Sequence, residues 1–284
     1  MSRPSIGVAL KLAPRRTDVD PLTGAAEPDR VPAGPSAAGL AALEIALRLR
    51  DAWQTRVTVA TVGPAAAEPM LRDALARGAD HAVRIQVPQC RADAVPGTPS
   101  ALAAAADALA AALADCSVVL CGDGGHDSGT GAVPALLAAR SARAQALGLT
   151  SVEPGDEHGT VRTERRLDRG WRERLLVRAP MVLSVESGSA QPRRAGLASV
   201  LQARGADITV IAGARTGTGD GVLTVLPYRP RARALPAPAG ESPLARVLSL
   251  LGTGTARGPA ERIDAQPPAA AQRIVDQLRA WGYL

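Results

Sequence analysis

The sequence predicts an α/β protein built on a doubly wound, mostly parallel sheet, followed by an extended C-terminal arm. Three observations predict it. Short apolar runs alternate with amphipathic stretches of helical period from residue 6 to residue 146, the pattern of strand–helix–strand units. Several of the short runs are apolar throughout, as strands buried on both faces are. Beyond residue 210 the character changes, and Gly, Pro, Arg and Thr crowd the stretch 214–238.

Ile6 to Leu12 reads as a first buried strand, and a polar, proline-dotted loop follows from Arg15 to Gly34. Ala37 to Arg50 is an amphipathic helix with Leu40, Leu43, Ala46 and Leu47 on one face and Ser36 as its N-cap. Arg56 to Val62 is a β-branched strand closed by Gly63-Pro64. Glu68 to Ala76 is a helix stopped at Arg77-Gly78, and His81 to Val87 is the next strand. After the loop of Pro88 to Pro99 come an alanine-leucine helix (Ala101 to Ala114), a strand (Ser117 to Leu120) and a helix from about Gly131 to Ala146. In the second half, Arg162 to Leu167 and Arg172 to Val177 flank Asp168-Arg169-Gly170 as a hairpin. Met181 to Val185 is another strand, Gln191 to Arg204 a turn followed by a helix, and Ala269 to Trp281 a terminal helix.

Composition narrows the function classes. Hydrophobic residues make up 46% of the 284, enough for a sizeable core, but aromatics are 2% and Phe is absent, so that core is built from Ala, Val and Leu. Lys11 is the only lysine, and arginine supplies the other basic charges. The net charge of +6 invites a nucleic-acid reading. The arginines are scattered among acidic residues with no aromatics interleaved to stack bases, so a nucleic-acid partner is not expected. Cys90, Cys116 and Cys121 form no CxxC pair and read as structural thiols of a reducing compartment; on one strand, Cys116 and Cys121 would face opposite sides. The N-terminal apolar run is too short for a signal peptide, so the chain is expected to be cytoplasmic and without membrane insertion.

The chemistry concentrates in Cys121 to Ala132, a glycine-rich strand-to-helix turn. Gly122, Gly124, Gly125, Gly129 and Gly131 let the backbone approach a ligand, and a helix starting beside Thr130 offers unpaired amides that suit a phosphate. Thr130 and Ser128 add hydroxyl donors, whereas Asp123 and Asp127 must point away or bind ribose hydroxyls. The alternative is a loop that merely joins strand to helix. A P-loop is excluded by the missing Gly-Lys-Ser/Thr, and the dinucleotide pattern GxGxxG is not matched. His126-Asp127-Ser128 are adjacent and cannot converge as a triad. His81 and His158 read as surface or strand-end residues. Ligands of such sheets sit beyond the carboxyl ends of the strands, which places this turn, Ala9 to Lys11 and Val62-Gly63-Pro64 on one rim.

The order and spacing of several segments resemble the beta subunit of electron transfer flavoproteins, the FixA-like family. They are Val8-Ala9-Leu10-Lys11, Glu44 to Leu49, Val62-Gly63-Pro64 with Leu71 to Asp80, Cys121 to Gly131, Glu164 to Gly170, Pro180, and Gln191 to Leu197. The resemblance runs to about residue 210. It implies an adenine nucleotide alpha hydrolase-like, Rossmann-like sheet in a nucleotide-binding domain over 1–210. Residues 211–284 then form an extended arm and terminal helix that contact an alpha subunit. It further implies a heterodimer in which the alpha subunit holds most of a redox-active FAD, while the beta subunit holds AMP or, in bifurcating members, a second FAD. The positions it points to are Ala9, Ser36, Ala37, Ala38, Gly39, Val62, Gly122, Asp123, Gly124, Gly125, His126, Asp127, Ser128, Gly129 and Thr130. Ser36 to Gly39 stand where the family usually has Asn-Pro, an aromatic and an acidic residue, and the glycine turn is a few residues shorter. Leu197 matches the family's docking leucine for a partner dehydrogenase; the alternative is a core leucine of a short helix.

The expectation is therefore an electron carrier subunit with no catalytic acid or base. It accepts electrons from a dehydrogenase through the shared FAD and passes them to a downstream acceptor. The arginine-rich, divergent sequence suggests an actinobacterial-type branch, and the resemblance extends the expectation to its mycofactocin-associated members. The alternative is a free-standing adenine-nucleotide sensor without flavin.

Overall fold

Ile6–Ala9 forms β1, and the sheet grows from it on both sides. The computed structural model describes residues 5–14, 18–19, 26–27, 33–86, 99–125, 127, 129–213, 237–238, 240–251 and 264–283. In chain order β1 is followed by β2 (Asp18–Val19) and β3 (Ala26–Glu27), a two-stranded ribbon, and by α1 (Ala37–Trp53). Then come β4 (Val57–Val62), a 3-10 turn at Ala65–Ala67, α2 (Glu68–Ala76), β5 (His81–Gln86), α3 (Pro99–Ala112) and β6 (Val118–Gly122). The second half supplies α4 (Ala132–Arg140), β7 (Ala144–Pro154), β8 (Thr160–Arg166), β9 (Arg172–Arg178), β10 (Met181–Val185), α5 (Leu197–Arg204) and β11 (Thr209–Ala212). Two further helices, α6 (Pro243–Leu250) and α7 (Pro267–Ala280), end the chain.

The nine-stranded sheet has the order β11-β5-β4-β1-β6-β10-β7-β8-β9. Every neighbouring pair from β11 to β7 is parallel, and β8 and β9 add an antiparallel hairpin at the edge. The α/β class and the doubly wound character are thus those the sequence predicts. Two apolar clusters account for the winding. Ile6, Val8, Val59, Leu120, Leu183 and the buried face of α1 form one cluster with Met70 and Leu71 of α2. Val119, Cys121 and Val182, on the opposite face of the same strands, pack against Leu109 and Leu113 near α3 and Leu137 and Ala138 of α4. Each large aliphatic side chain so buried contributes about 1.5–3 kcal/mol.

Local chemistry sets the element ends. Ser36 caps α1 by accepting the Gly39 amide at 3.0 Å, and Gln54 closes the helix in a left-handed conformation. The Asp80 carboxylate accepts the Val57 amide at 2.8 Å while its own amide donates to the Val57 carbonyl at 2.9 Å, locking the start of β4 to the turn before β5. Ala13 and Gly34 exchange two backbone hydrogen bonds of 3.0 Å and close the base of the Arg15–Gly34 loop.

Three expectations are corrected. The helix predicted to run to Ala146 stops at Arg140; Ala142 takes a positive φ of 50°, and Ala144–Pro154 is a strand. Cys116 lies ahead of β6 rather than on it, so both cysteines pack in the same apolar cluster instead of facing opposite ways. Thr209–Ala212, to which the sequence assigns no element, pairs with β5 as the outer parallel strand. The predicted arm from Ala214 lies outside the described residues up to 236, as do residues 88–98 of the loop before α3.

The chain divides into two compact units, Met1–Tyr228 and Arg229–Leu284. In the second, Ser242 caps α6 by accepting the Ala245 amide at 3.1 Å, and Leu244, Val247, Leu248 and Leu251 are exposed. The terminal helix predicted over Ala269 to Trp281 is α7, with Ile274 and Trp281 exposed. No helix among the described residues is long and apolar enough to cross a membrane.

Candidate functional site

At the carboxyl rim of the sheet, where β1, β4 and β6 end, lies a cavity of about 280 Å³. Ala9, Leu10 and Lys11 enter it from β1, Val62 from β4 and Cys121 to Gly125 from β6. Ser36 and Gly39 face it from the start of α1, and Gly129 to Pro134 from the start of α4. One wall belongs to α3, through Ala101, Leu102 and Ala105, with Leu109 deeper in.

The turn needs its glycine at 122 because the first turn of α1 crosses directly against it. A Cβ there would lie 2.7 Å from the Gly39 nitrogen and 3.0 Å from the Ala38 Cβ, closer than atoms can approach. Gly131, at a φ of 59°, turns the chain into α4. Ala132, Val133 and Pro134 of that helix's first turn line the cavity, which puts the positive dipole end beside it; Pro134 has no amide, so Ala132 and Val133 are the first-turn donors. The Ala132 amide reaches the Thr130 hydroxyl at 3.5 Å.

Of the residues the sequence singles out, Ala9, Ser36, Gly39, Val62, Gly122, Asp123, Gly124, Gly125, Gly129 and Thr130 converge on this one cavity. Ala37 and Ala38 are not among its lining residues: Ala37 is exposed, and Ala38 is buried under Gly122. Asp127 stands beside the lining rather than in it, with its carboxylate 2.5 Å from the Lys11 ammonium. His126 and Ser128 lie outside the described residues. Sequence reasoning places Ala9 to Lys11 on this rim, and Leu10 and Lys11 do line the cavity, but it misses the α3 wall. An alanine-rich helix carries no polar signal of a site, and only the topology brings it over the rim.

Burial raises the Asp123 carboxyl above its ordinary range, and the negative charge of Glu186 adds to the rise. Burial pushes the Cys121 thiol up to about 12, so it serves as an apolar lining group rather than a nucleophile at neutral pH.

A second feature lies away from the cavity. Leu197, at the first turn of α5, is 76% exposed and Leu201, one turn on, 54%, so the reading of Leu197 as a core residue does not hold. The segment that carries them is tied down. The Arg72 guanidinium donates to the carbonyls of Ala203, Arg204 and Ala206, completing the C-terminal end of α5. Arg77 donates to the Arg193 carbonyl at 2.5 Å, and Arg193 pairs with Glu44 of α1 at 2.9 Å.

Comparison with known proteins identifies the family. The family model described as "Electron transfer flavoprotein domain" matches residues 25–215. The chain is 30% identical over 203 residues to Protein FixA of Azorhizobium caulinodans, covering 71% of this chain and 72% of that protein. It is 32% identical over 192 residues to Protein FixA of Bradyrhizobium diazoefficiens, covering 67% of this chain and 66% of that one. With the electron transfer flavoprotein subunit beta of Mycobacterium bovis it shares 32% identity over 181 residues, 62% of this chain and 65% of the relative.

Proposed function

Because the chain belongs to the electron transfer flavoprotein family, whose members carry electrons rather than act as enzymes, we propose that it is the beta-type subunit of a heterodimeric carrier. Its partner is an alpha subunit that holds most of an FAD. Electrons enter that FAD from a dehydrogenase docked on this chain and leave to a downstream acceptor in the cytoplasm. The FAD supplies the redox chemistry when bound, and this chain's own work is to hold, position and dock.

The observation that carries the proposal is the rim cavity. Its glycine turn and the start of α4 offer amides to a phosphate, and the Ala101–Leu102–Ala105 wall offers an apolar surface to a purine ring. We assign it AMP, with Thr130 and the Gly125 amide at the phosphate end; the Asp123 amide is taken by the Val185 carbonyl at 3.0 Å. Its volume of about 280 Å³ lies just under the usual range of ligand sites, about 300–1,000 Å³, and suits a mononucleotide better than a second FAD. The exposed Leu197 on an anchored helix suits a docking anchor, since a large apolar side chain held rigidly in solvent gains most by filling a partner's pocket. The unit from Arg229 onward, with its exposed apolar helix faces, is assigned to the alpha subunit.

Co-expression with a candidate alpha subunit tests the reading. A yellow complex that stays together through gel filtration supports it. A stable, colourless monomer that binds adenine nucleotide points instead to a free-standing sensor.

A further inference from the structure

The cavity's lysine already has an anion beside it. Lys11 is the sole lysine of a chain with 33 Lys and Arg residues, and it lines the cavity. Its ammonium meets the Asp127 carboxylate at 2.5 Å. The aspartate is not a solvated surface group: its side chain is 16% exposed, against 52% for Lys11. It is folded back onto the glycine turn, so closely that a Cβ on Gly125 would lie 2.8 Å from Asp127 Oδ1 and 3.9 Å from Lys11 Cδ. Gly125 thus makes room for the carboxylate to reach the end of β1 from the far side of the turn.

A phosphate delivered to the amides of α4 enters a site whose lining includes Lys11 and Asp123, with Asp127 held against that lysine. With both carboxylates charged, these three groups sum to one negative charge. Filling the site with a dianion while Lys11 stays on Asp127 brings like charges together. An ammonium on a flexible stem, with three donors of no fixed direction, can change partners; a guanidinium fork is less suited to that exchange.

We infer that nucleotide entry is an ion exchange at Lys11, in which the ligand's phosphate displaces the Asp127 carboxylate. The inference rests on the nucleotide reading of the cavity proposed above. Asp127 is then a positioning and specificity residue: it keeps Lys11 over the turn in the empty subunit and sets a toll on phosphorylated ligands that adenosine does not meet.

The test is calorimetry on the heterodimer stripped of bound nucleotide, with AMP and adenosine as probes. Asp127→Asn is expected to tighten AMP about threefold to fivefold, the strength of a partly exposed ion pair, and to leave adenosine unchanged. Lys11→Gln is expected to weaken AMP towards the affinity of adenosine, and adding Asp127→Asn to it should produce no further change. Amine-directed acylation gives a second readout, since Lys11 is the only side-chain amine of this chain: its labelling should rise in Asp127→Asn and fall with AMP. AMP affinity that is unchanged or weakened in Asp127→Asn, with adenosine unaffected, overturns the exchange while leaving the nucleotide site standing. Failure of the wild-type complex to bind either probe overturns the nucleotide reading itself.

Discussion

Glu44 and Arg193 are 149 residues apart and meet as a forked pair: Glu44 Oε2 accepts both the Arg193 amide at 3.1 Å and its Nε at 2.9 Å, while Oε1 accepts Nη2 at 3.3 Å. Glu44 is buried on α1 and Arg193 opens the segment that leads to Leu197, so this pair fastens the proposed docking loop to the core. Removing the charge puts a neutral amide where a buried carboxylate takes hydrogen bonds from Arg193 and Arg48. Glu44→Gln is expected to cost about 2 kcal/mol, the range for hydrogen bonds to charged groups with one partner still partly in water. Chemical denaturation checks the magnitude, and amide exchange across 191–205 checks that the loss is local.

The same pair gives the loop a pH dependence. Burial alone would raise the Glu44 carboxyl, but hydrogen bonds from Arg193 and Arg48 outweigh it and hold the pKa below its ordinary value. A lowered carboxyl pKa contributes stability that is present above the unfolded value and is lost as pH falls through the folded one. Protection of the loop should therefore persist at neutral pH and disappear only below the usual glutamate range. Glu44→Gln should flatten that acid step; an unchanged acid profile in the variant would assign the step to another group.

For docking, Leu197→Ala is expected to leave folding stability within about 0.5 kcal/mol, since the side chain is exposed, and to leave flavin content intact. Electron transfer from the dehydrogenase should weaken through complex formation, visible as a raised half-saturation in stopped-flow titrations. Unaltered transfer kinetics would remove the docking role from Leu197.

At the cavity, Gly122→Ala forces a methyl group into the start of α1 and should destabilise by about 1–3 kcal/mol while weakening AMP, both read by thermal unfolding with and without nucleotide. Variants with unchanged melting and unchanged AMP-dependent stabilisation would show that the α1–turn contact can open without cost.

The two described cysteines should be silent in the folded protein. Burial raises the Cys116 thiol and pushes that of Cys121 up to about 12, so neither presents a thiolate at neutral pH. Iodoacetamide labelling followed by mass spectrometry should modify them only after denaturation. Rapid labelling of Cys121 in the native state would contradict its burial against α3 and α4.

Much of this was readable in the sequence because it rests on local chemistry. The β-branched run at Val57–Val62, the Ser36 cap and the Asp168–Gly170 hairpin turn each carry a signal within a few residues, and each forms where that signal lies. The glycine turn carries its signal locally too, and residues 122 to 125 line the rim cavity. What escaped depends on topology or on residues without a signature. Ala144–Pro154 begins with alanines that continue the preceding helical composition, and only the left-handed Ala142 breaks the run. The α3 wall is alanine and leucine, identical in pattern to any buried helix face. Lys11 and Asp127 are 116 positions apart, and no spacing rule could pair them.

Mass spectrometry of the small molecules released from the purified heterodimer tests the central claim most directly. The account predicts FAD together with AMP in equal amounts, the AMP lost selectively in Gly122→Ala. A complex that releases no flavin, or a chain that purifies alone with its cavity charged by a different class of ligand, would contradict it.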